Sequence, residues 1–154
     1  MPHEAIIYRT ATPEEIYDLR WRVLIAGTQR DSPEFPGDFH PETLHIGAFA
    51  GEAIIGCASF IPSEWDGKPA WRLRGMATDP DWRNRGVGRA LFRFGEQEAL
   101  KAHVWPFWCD ARVSAVEFYL KQGWNLASEE FFVEAVGPHR KMVKSLPVPA
   151  VSLN

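Results

Sequence analysis

Cysteine is scarce in this chain. Only Cys57 and Cys109 occur, each inside an apolar run and without metal-like spacing. No metal site is expected, and the pair reads as two buried free thiols in a reducing compartment rather than as a disulfide. Long hydrophobic runs are missing too: no stretch approaches the roughly 20 apolar residues of a membrane span. The start, Met1-Pro-His-Glu4, leads into only two isoleucines, so no signal peptide is expected and the reading is cytoplasmic, with no membrane partner. Positive charge is not in excess: 17 Lys and Arg face 20 Asp and Glu, for a net −3. That disfavours a broad basic surface, and no nucleic-acid partner is expected. Internal repeats and Gly/Ser linkers are also lacking, so 1–146 reads as one domain, with 147–154 an extended or disordered tail.

What is present is organised around Trp71–Gly88. It reads as a strand, a Pro-bearing connection at Asp79-Pro80, and the turn Arg83-Asn-Arg-Gly-Val-Gly88, which opens into a helix. A glycine-containing turn at a helix N-terminus offers free N–H groups and the positive end of the helix dipole, which suits a pyrophosphate. Gly86 and Gly88 would let backbone approach the ligand without a Cβ. A P-loop is excluded because Gly88 is followed by Arg89-Ala90 rather than Lys-Ser/Thr. The dinucleotide fingerprint also fails, since no glycine stands three residues after Gly88.

The flanks supply the architecture. Glu4–Arg9 reads as a first strand, and Thr12-Pro-Glu-Glu15 as a capping box starting a helix, with Ile16, Leu19, Val23 and Ala26 on one face and Gly27 as its end. The segment 28–41 has no clear period and is long enough to line a site. Runs 45–50, 53–61 and 70–78, joined at Gly51-Glu52 and Asp66-Gly67, form an antiparallel meander. A helix then places Gly88, Leu91, Phe92, Gly95 and Ala99 on one face. A strand over 104–109, a helix over 112–121, strand material at 124–127 and 130–136, and a last strand at 139–143 complete the chain.

This order resembles the GNAT superfamily of acetyl-coenzyme A-dependent N-acetyltransferases. Arg83-x-x-Gly86-x-Gly88 fits the family's phosphate loop, in register with Met76-Ala-Thr-Asp-Pro80, and Ala115-x-x-Phe118-Tyr119-x-x-x-Gly123-Trp124 fits its second signature. Gly137-Pro138-His139 also looks like a subgroup of small bacterial members. The resemblance implies an α/β fold with a mixed, mostly antiparallel sheet of about six to seven strands flanked by helices. It implies acetyl-coenzyme A as co-substrate and an amine of a small molecule or peptide as acceptor, attacked directly in a ternary complex. A homodimer is compatible with it. Arg83, Asn84, Arg85, Gly86, Val87, Gly88 and Arg89 would seat the pyrophosphate. Met76, Ala77 and Thr78 would align the pantetheine as though it were another strand. Arg112 stands where the family often has Asn, a cation in place of an amide.

Acyl transfer further requires a base and a proton for the leaving thiolate. Tyr119 is the candidate acid; periodicity alone equally makes it a core residue. His139, Glu134, His45 or an ordered water could serve as base, because the strand 70–78 carries no acid. Gly75 reads either as a bulge that opens a cleft or as a packing accommodation. Arg20, Arg22, Phe35, Asp38 and Phe39 are candidate specificity walls, and Trp71, Trp105 and Trp108 could add to the cleft. Two rival readings remain: an enzyme using a longer acyl donor, and a regulatory coenzyme A-binding module without a base.

Overall fold

The structure, a computed structural model, describes residues 5–134 and 136–145; the expected tail and the extreme N-terminus lie outside them. Strands β1 (Ile6–Thr10), β2 (Leu44–Ala50), β3 (Ala53–Trp65) and β4 (Lys68–Thr78) are antiparallel neighbours. Strand β5 (Phe107–Arg112) joins β4 in parallel, and β8 (Gly137–Lys144) joins β5 antiparallel. Short strands β6 (Asn125–Leu126) and β7 (Phe131–Val133) both pair with β8. The mixed, mostly antiparallel sheet expected from the sequence is present, with eight strands among the described residues rather than six or seven. The additional strand arises because 124–136 is two separate strands on β8 rather than one and its extension.

Helix α1 (Pro13–Arg20) packs on one face of the sheet, where Ile16 and Leu19 meet Cys57 and Ala77. Its start is the expected capping box: Thr12 Oγ1 accepts from the Glu15 N–H at 3.2 Å, and Glu15 Oε1 accepts from the Thr12 N–H at 3.0 Å. The helix does not run regularly to residue 26. From Trp21 to Ile25 it widens to a π-turn, whose extra residue rotates the inward face, so Ile25 is buried while Ala26 is exposed.

The opposite face carries α2 (Val87–Leu100) and α3 (Val116–Lys121). Leu91, Phe92, Gly95 and Ala99 are buried as their spacing predicts; in the first turn the buried residue is Val87, and Gly88, expected on that face, is only half-buried. Gly95 is needed for close approach: a Cβ there would stand 2.2 Å from Phe60 Cε2. Strand β5 begins and ends later than the sequence suggested. Pro106 has no N–H to give a ladder, and β8 provides antiparallel partners from Phe107 through Arg112. Arg112 therefore closes a strand rather than opening a helix; a short 3₁₀ turn, Val113–Ala115, intervenes before α3.

The central feature is where the sheet parts. The β4–β5 ladder has only two pairs, Trp71 with Phe107 and Arg72 with Trp108. Beyond them β4 is bulged, because its register against β3 slips between Cys57–Ala77 and Ser59–Arg74. Gly75 sits in the bulge at φ +64°, and its added Cβ would also meet Arg20 Nε at 2.8 Å. Both readings of Gly75 hold: it shapes the bulge and it makes room for Arg20.

Candidate active site

The gap between β4 and β5 opens into a cleft of about 840 Å³. Its walls are β4 from Arg72 to Thr78, the turn before α2, the end of β5 and α3. The far end is closed by Val23–Ile25, Thr28, Arg30 and Phe35.

At the α2 end, Gly86 is the N-cap, at φ +80°, and no side chain among the described residues caps the helix. A 14-residue helix thus presents its first N–H groups and positive dipole end without an internal acceptor. A Cβ at Gly86 would meet no atom within 4 Å, so there is open space at the cap, while at Gly88 it would press on Phe118 at 3.2 Å. Such a cradle fits a pyrophosphate. Asn84 is also left-handed, at φ +62°, as the turn requires. Arg83, Asn84, Gly86, Val87, Gly88 and Arg89 all line the cleft; Arg85 does not, and its guanidinium lies 4.9 Å from the Trp82 ring centre. The turn is tied down by Asp79, which accepts from the Asp81 N–H at 2.9 Å and pairs with Arg22 at 3.3 Å. Arg22 is thereby a brace of the loop, and it is absent from the cleft wall.

Met76, Ala77 and Thr78 face the same space on the stretch of β4 that β5 leaves unpaired. Arg112 lies opposite and reaches across to the Leu24 carbonyl at 3.4 Å. Tyr119 also lines the cleft, within an aromatic cluster of Phe92, Phe118 and Trp124. Burial, and then Cys109 beside it, raises its phenol well above the ordinary value of 10. Cys109 reaches the cleft wall as well, but burial pushes its thiol up to about 12. Cys57, on the other face, is pushed up to about 12 by the same cause. Both cysteines are buried and unpaired, as expected.

The candidate bases are treated unequally. His139 is buried on β8 and lines the cleft; its Nδ1–H donates to the Gly137 carbonyl at 2.8 Å, which leaves Nε2 as the acceptor. Glu134 is exposed beyond β7 and is not brought to the cleft. His45 is occupied: Nε2–H donates to the Asp38 carbonyl at 2.8 Å, so Nδ1 accepts from the Ser59 hydroxyl at 2.7 Å. It has no nitrogen to offer a substrate.

That histidine belongs to a buried network which revises the expected specificity walls. Arg20 and Asp38 have no exposed side-chain area and pair at 2.7 Å. Arg20 also donates to Ser59 Oγ at 2.9 Å and the Pro33 carbonyl at 2.8 Å. Asp38 accepts from the Phe35 N–H at 2.8 Å and the Tyr17 hydroxyl at 2.9 Å. These two residues are clamps that bind segment 28–41 to the sheet rather than contacts for a ligand. Phe39 is 60% exposed and turned away, whereas Phe35 does form cleft wall. Trp71, Trp105 and Trp108 do not line the cleft; Trp82 does.

The residues that sequence reasoning missed are Arg72, Arg74, Arg30 and Asp110. Arg72 and Arg74 alternate around the inward Leu73, so they share the cleft face of β4. The i, i+2 spacing of two cations on a central strand was a readable signal.

A splayed parallel pair in an otherwise antiparallel sheet, with a glycine-capped helix at its mouth, defines the acyl-coenzyme A N-acyltransferase fold. A sequence model of the acetyltransferase (GNAT) family matches residues 13–124, and the chain belongs to that family. It is 30% identical over 141 residues to the uncharacterized N-acetyltransferase YitI of Bacillus subtilis (strain 168), covering 90% of this chain and 95% of the relative. Among solved structures, an acyl-CoA N-acyltransferase from Pseudomonas aeruginosa superposes with a TM-score of 0.77 at 16% identity, over 92% of this chain and all of that one. A GNAT acetyltransferase from Elizabethkingia anophelis with acetyl-CoA bound gives 0.68 at 14% identity, over 94% of this chain and all of that one. These likenesses establish the fold and the acyltransferase family.

Proposed function

We propose that the chain is an N-acetyltransferase that passes an acetyl group directly from acetyl-coenzyme A to a primary amine. The observation that carries this is the juxtaposition of the uncapped α2 N-terminus with the unpaired edge of β4. The pyrophosphate would sit on the N–H groups from Val87 onward, and the pantetheine amides would continue the sheet along Met76–Thr78. Direct transfer is supported by the state of Cys109. At a thiol value of about 12, only on the order of one molecule in 10⁵ carries the thiolate at pH 7, so an acetyl-cysteine intermediate is disfavoured.

The acceptor ammonium first loses one proton, through His139 Nε2 or water, and its nitrogen lone pair attacks the thioester carbonyl carbon. The new C–N bond forms as the C–S bond breaks, and the electron pair leaves on sulfur. The second nitrogen proton ends on that sulfur, giving amide and free coenzyme A. Tyr119, which holds its proton firmly, donates a hydrogen bond to the departing sulfur. Thiol release from acetyl-coenzyme A with a panel of amines tests the reading. Amine-dependent release supports it; tight coenzyme A binding without release for any amine refutes it in favour of a binding module. Repeating the assay along a series of acyl-chain lengths separates acetyl transfer from a longer donor.

A further inference from the structure

The end of the cleft remote from α2 is built from cations. Arg20, Arg30 and Arg74 surround Phe35, with their guanidinium carbons 4.1, 4.6 and 4.5 Å from its ring centre. Arg72 stands two residues from Arg74 on the same face of β4. Among the described residues two carboxylates pair within this group, and both are engaged. Asp38 is taken by Arg20, and Asp110 is shared between Arg72 at 3.0 Å and Lys141 at 2.8 Å. Among the described residues the Arg30 side chain donates only to a backbone carbonyl, that of Glu34. Arg74 has no hydrogen-bond or ion-pair partner among the described residues, although it is half-buried and lines the cleft. Burial and the neighbouring arginines Arg72, Arg30 and Arg20 pull its guanidinium down to about 10, and the opposing pull of Asp110, already shared by Arg72 and Lys141, does not offset them. This accumulation occurs in a protein of net charge −3.

An unpaired, partly desolvated guanidinium beside like charges is unfavourable unless an anion completes it. The cofactor's phosphates are poorly placed to do so. Arg74 lies four residues up β4 from Thr78, which is roughly 13 Å along a strand, on the side away from α2. We propose that Arg74, assisted by Arg30, binds an anionic group of the acceptor, so that the substrate is an amine that also carries a carboxylate or a phosphate. The proposal rests on the acetyltransferase reading for the word acceptor, but the anion site itself does not. Phe35, with cations around its ring, supplies an apolar floor between the anion and the amine.

The test uses matched amines: phenylalanine against phenethylamine, histidine against histamine, and phosphoethanolamine against ethanolamine. Each is titrated calorimetrically into protein saturated with coenzyme A and, separately, assayed for thiol release from acetyl-coenzyme A. The anionic member of at least one pair is expected to bind about tenfold to a hundredfold more tightly, the range of a charge-assisted contact. Which pair shows the gap identifies carboxylate or phosphate. Arg74→Gln is expected to erase that gap with coenzyme A affinity unchanged, Arg74→Lys to restore part of it, and Arg30→Gln to narrow it. Equal binding within every pair overturns the proposal. So does a gap that survives in Arg74→Gln, or a loss of coenzyme A affinity in that variant. A binding gap with no thiol release for any amine upholds the anion site and refutes acetyl transfer.

Discussion

Asp38→Asn tests the claim that a buried ion pair holds the loop that closes the far end of the cleft. Arg20 and Asp38 have no exposed side-chain area, and their 2.7 Å contact is reinforced by the Phe35 N–H and Tyr17 hydroxyl on the same carboxylate oxygen. Removing one partner of such a pair strands a buried charge, at about 3–5 kcal/mol. The Asn carbonyl still accepts one of those hydrogen bonds, which recovers about 1 kcal/mol. The expected loss is therefore about 2–4 kcal/mol, a large share of the roughly 5–15 kcal/mol that holds a domain together. Urea denaturation at neutral pH reads it. The charge-free pair Arg20→Met with Asp38→Leu is expected to regain most of the loss, because no charge is then stranded.

The same carboxylate fixes the sign of the pH dependence. Burial pushes Asp38 up, but Arg20 and the Phe35 N–H outweigh it and leave it below 3.8. Its contribution is fully present above the unfolded value and is lost as pH falls through the lower folded value. Asp38→Asn is expected to flatten that acid slope. A loss under about 1 kcal/mol, below even the weakest buried-pair cost, or an unchanged slope, would refute the clamp.

Gly95→Ala sets about 1 kcal/mol of helix propensity against about 1–3 kcal/mol of overpacking on the fully buried Phe60. A net loss of about 1 kcal/mol and a Tm lower by about 2–4 °C are expected for a domain of this size; a higher Tm contradicts the close approach. Tyr119→Phe should reduce turnover about a hundredfold with coenzyme A affinity unchanged, and wild-type turnover removes its role. Since burial and Cys109 keep the phenol protonated, its ionisation should cause no alkaline fall in rate below pH 10. His139→Gln should lower turnover and flatten the acid limb of the pH–rate profile, whereas an unchanged limb assigns the base to water.

The sequence carried those parts of the fold that depend on local chemistry. Thr12 and Glu15 announced a helix start, Asp66-Gly67 a hairpin, and Gly86 a helix entry; each acts within a few residues. The errors fell where a distant partner decides. The strand expected over 104–109 lies instead at Phe107–Arg112, because β8 beside it sets its bounds and no local pattern encodes that neighbour. The π-turn at Trp21–Ile25 likewise changes which residues face inward without any glycine or proline to mark it. At the site, the helix entry at Gly86 was legible because it depends on local backbone conformation, while the partners of the side chains were not. Asp38 and His45 looked available until the fold joined them to Arg20 and Ser59. For Arg74 the spacing to Arg72 was readable, but its placement beside Arg20 and Arg30 around Phe35 came from packing alone.

The central claim is that α2's bare N-terminus seats the pyrophosphate of an acyl-coenzyme A whose arm runs along β4. Calorimetric titration of coenzyme A against pantetheine tests it directly, because the two share the arm and only one carries the pyrophosphate. Coenzyme A is expected to bind at least about a hundredfold more tightly, from several charge-assisted N–H contacts added to the helix dipole. Equal affinities for the two would contradict the account.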